Sequence, residues 1–178
     1  MATAYEVKLG RLKGVNAAAD QLTTMSLSTS TQVDEGSFLY ADWSESADKL
    51  KLATPNTSGG TPVEYLLLER VTSDGPTFTE RQFRVDVGEK KSGRPCAVIA
   101  LKPGMQIETA TVATSGTGAL SSGTALETAL SVISGELVIK QASGSDGDTE
   151  VARLKENRLG TDGFIIVHVT NVGSGEPA

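Results

Sequence analysis

Cysteine and histidine each occur once in this chain of 178 residues, as Cys96 and His168. No intrachain disulfide can form, and one copy cannot assemble the four-ligand Cys/His sets that hold structural zinc. Cys96 lies in the apolar run "RPCAVIALK" and reads as a small buried hydrophobe rather than a reactive thiol. Aromatic residues make up only 4%, with a single Trp, so the core must be built from Val, Ile, Leu and Ala. Such side chains suit thin sheet-on-sheet packing better than a deep ligand cavity. A basic excess is also missing: the formal net charge is −6, which speaks against non-specific attraction to nucleic acid or to an anionic membrane surface. No apolar run approaches the roughly 20 residues of a membrane-spanning helix. The opening "MATAYEVKLGRLKG" lacks the apolar stretch of a secretory signal, so the expectation is a chain made and kept in a reducing cytoplasm until something carries it elsewhere.

What the sequence does contain is short alternating runs punctuated by Gly, Pro, Asn, Asp and Ser, the pattern of an all-β sandwich or barrel. In "AYEVKLG" Tyr5, Val7 and Leu9 share one face, with Glu6 and Lys8 on the other. "FRVDVG" repeats this with Phe83, Val85 and Val87. Nearly continuous apolar runs, "VEYLLLERV", "CAVIAL", "SVISGELVIK" and "GFIIVHV", read as central strands covered on both faces, with Gly135 at a turn or bulge inside the third. "MQIETATVA" and "TALETALSVI" are two further strands flanking the loop or hairpin "TSGTGALSSG"; their Thr, Ser and Ala surface suits flat contact with another protein. "VNAAADQLTT", about residues 15 to 24, is the one helical candidate.

Residues 1–35 are rich in Ala, Thr and Ser and read as an arm or peripheral layer, 36–170 as the β-rich body, and 171–178 as a tail.

No constellation for catalysis stands out. His168 has no second His, nucleophile or convergent carboxylates in its local sequence, and reads as a strand residue with a satisfied hydrogen bond. Asp146, Asp148 and Glu150 have the oxygen-ligand character Ca²⁺ prefers but lack the spacing of a calcium loop, which leaves an exposed hairpin tip. "SGTGALSSG" lacks the Lys-Ser or Lys-Thr of a phosphate loop. Lys90, Lys91 and Arg94 read as a solvated turn. Tyr40 and Trp43 form either a sugar-stacking pair or, as preferred here, anchors at an interface. Neither a catalytic residue nor a cofactor is assigned.

The order "EGSFLYAD", "KPGMQIETATVA", "GTALETALSVISGELVIKQ" and "VARLKENRLGTDGFIIVHV" resembles the decoration, or cement, proteins of tailed-bacteriophage heads over roughly residues 36–170. The resemblance implies a structural virion protein on the outer capsid surface, bridging major capsid proteins as a dimer or trimer, with no direct contact to nucleic acid or membrane. It also implies that an N-terminal arm adds a strand to a capsid-protein sheet, which places Tyr5, Val7 and Leu9 at the contact. The chain is longer than many members, and the segment from about 45 to 80 is where an insertion would lie. A tail-tube or tail-tip module and a carbohydrate-binding adhesin are the competing readings. The expected fold is an antiparallel β-sandwich or jelly-roll-like barrel with an extended N-terminal arm.

Overall fold

The computed structural model describes residues 12–16, 21–27, 33, 35–42, 49–56, 58–68 and 95–172. Tyr5, Val7, Leu9, Trp43, the basic triplet, the expected strand at Phe83–Val87 and the tail beyond Val172 lie outside these residues, as do the side chains of residues 24, 27, 95 and 96.

The chain is all-β. Among the described residues, eleven strands run in order: β1 (Leu12–Val15), β2 (Leu22–Leu27), β3 (Phe38–Asp42), β4 (Lys49–Leu52), β5 (Tyr65–Leu67), β6 (Pro95–Ala100), β7 (Gln106–Thr109), β8 (Ala129–Ile133), β9 (Glu136–Ile139), β10 (Ala152–Arg158) and β11 (Phe164–Val169). Strands β2-β4-β3-β5-β6 close into a barrel, and β1-β7-β11-β10-β8-β9 form a six-stranded sheet packed against it. The result is a sandwich in which one layer has closed on itself.

Period-2 patterning explains the sheet. Ile107 and Thr109 of β7 are fully buried while Gln106 points to solvent. Leu154 of β10 and Ile165, Val167 and Val169 of β11 face the same interior. All pairings in this layer are antiparallel. The barrel has one parallel seam, where β2 meets β4 at Ser26 and Leu50 through the pairs Ser26↔Lys49 and Leu27↔Leu50. A purely antiparallel ring is geometrically excluded here, because strand directions cannot alternate around a closed ring of five.

Two cores result. Met25, Val33, Leu39, Ala41, Leu50, Leu67 and Val98 fill the barrel. A larger cluster joins the layers: Phe38, Ala53, Val63, Leu66 and Ile99 of the barrel side meet Ile107, Leu130, Val132, Leu137, Leu154, Ile165 and Val167 of the sheet. Each fully buried Leu, Ile or Phe contributes on the order of 1.5–3 kcal/mol, so the shared cluster is the main source of cohesion.

Residues 12–15 and 22–27 of the N-terminal 35 are strands in the two layers, and Met25 and Val33 are buried in the barrel. Of the helical segment anticipated near 15–24, Gln21 is in a 3₁₀ turn, while the described residues at either end of the segment are strand. Val15 ends β1, and Leu22, Thr23 and Thr24 pair with Ile99, Val98 and Ala97 of β6. Ladder pairing outweighs a weak helical tendency in a segment carrying two β-branched threonines.

Turns are specified locally. Between β8 and β9, Ser134 and Gly135 both have positive φ (50° and 80°), as a two-residue hairpin of primed type requires, and Ile133 pairs with Glu136. The link from barrel to sheet uses Pro103-Gly104, with Gly104 at φ 94° and the Met105 amide donating to the Lys102 carbonyl at 3.2 Å.

The Ser134-Gly135 turn is also where the layers touch through backbone. The Gly135 amide donates to the Ala53 carbonyl at 2.9 Å, its carbonyl accepts from the Phe38 amide at 2.9 Å, and the Ser134 amide donates to Thr54 Oγ1 at 2.9 Å. A Cβ at Gly135 would stand 2.5 Å from Leu52 Cδ2 and 3.2 Å from the Phe38 carbonyl oxygen. Gly135→Ala therefore combines left-handed strain with a clash, and is expected to cost about 2–4 kcal/mol in urea unfolding, with the midpoint lowered and the slope unchanged.

A candidate contact surface

The outer face of the six-stranded sheet carries a band of ion pairs. Lys13 sits at the bulge of β1, where the register shifts between Leu12 and Gly14, and its Nζ lies 2.8 Å from Asp162 Oδ2 and 3.6 Å from Glu108 Oε1. Arg158 of β10 hydrogen-bonds Glu108 of β7 and stands 3.6 Å from Glu156 and 3.7 Å from Asp162. The Lys13 ammonium also lies 3.9 Å from the centroid of the Phe164 ring, an outer-face aromatic that is almost wholly covered. Asp162 comes from the β10–β11 turn, whose amides at 161, 162 and 163 all donate to the Arg158 carbonyl. Its carboxyl is held below the usual carboxylate range, first by the hydrogen bond from Lys13, then by the Phe164 amide and the Arg158 charge. The guanidinium of Arg158 is raised, chiefly by its bond to Glu108.

Further along the same face Arg153 pairs with Glu150 through two hydrogen bonds at 2.8 and 3.1 Å, and Lys155 reaches Glu127 at 2.7 Å. His168 stands between them in register with Arg153 and Gln106, half-exposed, with no side-chain hydrogen bond to another described residue. The expected satisfied hydrogen bond at this histidine is therefore not found among the described residues; the ring faces outward, while its neighbours Val167 and Val169 take the core positions.

Loops at the sheet ends are clipped down. Asn157 Nδ2 donates to the carbonyls of Ser121, Ser122 and Thr124, clipping the end of the Ser- and Thr-rich loop to β10. Leu120 is buried, and Val112 bridges Leu137 beside β9. The strands either side of this loop are not a hairpin, since β11 and β10 lie between β7 and β8.

Residues 142–146 are exposed as expected, but the segment then folds back onto β8 and β9 at Gly147 and Asp148. Asp148 is buried at 2% exposure, its Oδ2 accepting from the Gly144 amide at 2.6 Å and its Oδ1 from Thr149 Oγ1 at 3.3 Å. Gly147 packs close to Ile133 and Val138, and its amide donates to the Pro55 carbonyl at 2.9 Å. Asn56 Nδ2 donates to Asp146 Oδ1 at 3.2 Å, so this loop and the 54–61 loop of the barrel are joined. Among the described residues no group of three or more His, Cys, Asp or Glu is placed to hold a metal ion.

Tyr40 lies on β3 opposite Lys51, half-buried, with its ring packed against the shared core. It is thus part of the joint between the layers, and the other expected contact residues lie outside the described residues. The ion-pair cluster and Asn157 were not singled out from sequence, and Asp148 was read only as part of an exposed tip. The clue available for Asn157 and Asp162 was the turn-rich "ENRLGTDG", whose Asn and Asp side chains can bond nearby backbone.

No family model matches the chain, and no curated protein matches it in a sequence comparison.

Asp148→Ala should cost about 2 kcal/mol, because it leaves the Gly144 amide without its acceptor. Urea unfolding together with faster amide exchange at Gly144 and Gln141 checks this.

Proposed function

We propose that the chain is a structural virion protein that binds the outer surface of a phage head and bridges neighbouring major capsid proteins. The observation that supports this reading most is the position of β1. The chain enters the described fold on the outermost strand of the six-stranded sheet. The segment carrying Tyr5, Val7 and Leu9 therefore joins the body at an edge, where preceding residues can pair with another chain without displacing an internal strand.

The rest of the body suits that task. A protein that reinforces a lattice works through many repeated weak contacts, and clipped loops keep each copy's shape constant from site to site. Its acidic balance, −6 overall, keeps coated particles from adhering to one another. In this reading the chain performs no chemistry and needs no cofactor, and its copies assemble as dimers or trimers on the shell.

Binding of the purified chain to emptied, expanded heads built from its cognate major capsid protein tests the proposal. A version beginning at Arg11 keeps β1 and removes Tyr5, Val7 and Leu9. The full chain should bind saturably and the shortened one at least tenfold more weakly. Failure of the full chain to bind would refute the proposal, and equal binding of both would refute the arm's part in it.

A further inference from the structure

β1 differs from every other strand of its sheet in how it is held. Among the described residues it is four residues long, lies at the edge, is bulged at Lys13, and has no residue in the fully buried class. Three register pairs tie it to β7, with one more backbone bond from the Asn16 amide to the Gln106 carbonyl at 2.9 Å. Leu12 and Val15 only lean on the shared core. Against this thin backbone and apolar support stands a dense charged clasp: Lys13 from β1, Glu108 from β7, Glu156 and Arg158 from β10, and Asp162 from the β10–β11 turn, with the Phe164 ring beneath the ammonium.

We infer that β1 is a releasable strap, held to the sheet mainly by this clasp and freed as a unit when the clasp is neutralised or screened, while the two layers stay folded. The other members of the clasp bond one another without Lys13, so losing β1 leaves Glu108 and Asp162 still paired with Arg158. Release bares the backbone edge of β7 and adds four residues, roughly 13 Å of extended chain, to whatever precedes Leu12. It depends only on the clasp and not on what the chain binds.

The pH sign follows from Asp162. Its carboxyl titrates lower in the folded chain than in the unfolded one, so its support for β1 is complete above the ordinary carboxylate range and is lost as pH falls through the depressed folded value. Salt acts in the same direction, since 1 M ionic strength shortens the screening length to about 3 Å.

Amide exchange on the full chain, expressed as protection factors, tests the inference. Lys13→Met keeps the stem over Phe164 without the charge. Asp162→Asn keeps the acceptor for the Phe164 amide, a bond of 3.1 Å, but not the ion pair. In either variant, and in the unaltered chain as pH is taken below the ordinary carboxylate range or in 1 M NaCl, protection at Leu12–Asn16 should fall about threefold, with β8, β9 and β11 unchanged. Unchanged protection at Leu12–Asn16, or loss that comes only together with the rest of the sheet, would overturn it.

Discussion

The backbone contact at Gly135 is the constraint on which the rest of the molecule depends. A hairpin tip from one layer is inserted between Phe38 and Ala53 of the other, donating to one and accepting from the other. The positive φ of Gly135 and the close approach of Leu52 demand a residue without a side chain, and the main-chain bonds fix the distance between barrel and sheet to hydrogen-bond length. The shared apolar cluster then has a defined thickness to fill, and Val, Ile and Leu fill it without large aromatics. The same corner gathers the 54–61 and 142–149 loops, which bond to one another through Asn56, Asp146, Pro55 and Gly147. One turn thus sets the register of the layers and the shape of one end of the body.

With the layers locked, the remaining freedom lies at the periphery. The outer face of the sheet is a set of ion pairs, each worth about 0.2–1 kcal/mol where exposed. These pairs do little for overall stability, yet they decide how firmly the thin edge strand is held. A body that is stiff within and adjustable at one edge fits a protein whose proposed work is to sit on a repeating surface and reach toward neighbours.

Much of the fold was legible because it rests on alternation and turn chemistry. Met105 and Ile107 inward with Gln106 and Glu108 outward, and Gly135 at a break, could all be read from local pattern. Strand order could not. Nothing in "MQIETATVA" or "TALETALSVI" says that β10 and β11 come between them, since pairing of distant segments is set by the shared core. The role of β1 and β2 was hidden for a related reason: they are held through backbone ladders and, in β1, a cross-strand charge cluster, and their apolar residues do not alternate regularly. Asp148 looked like loop surface because its burial is created by the segment folding back over β8 and β9. Of the expected contact residues only Tyr40 falls within the described residues, and its ring serves the joint between layers.

Barrel and sheet joined at Gly135 and the shared core should behave as one cooperative unit. Native-state amide exchange under increasing denaturant measures this directly, comparing Ile99 in the barrel with Val167 in the sheet, both buried and strand-paired. The two amides should reach the same opening free energy and the same denaturant slope. Distinct free energies and slopes, one for each layer, would mean that the layers unfold separately and that the junction does not govern the structure.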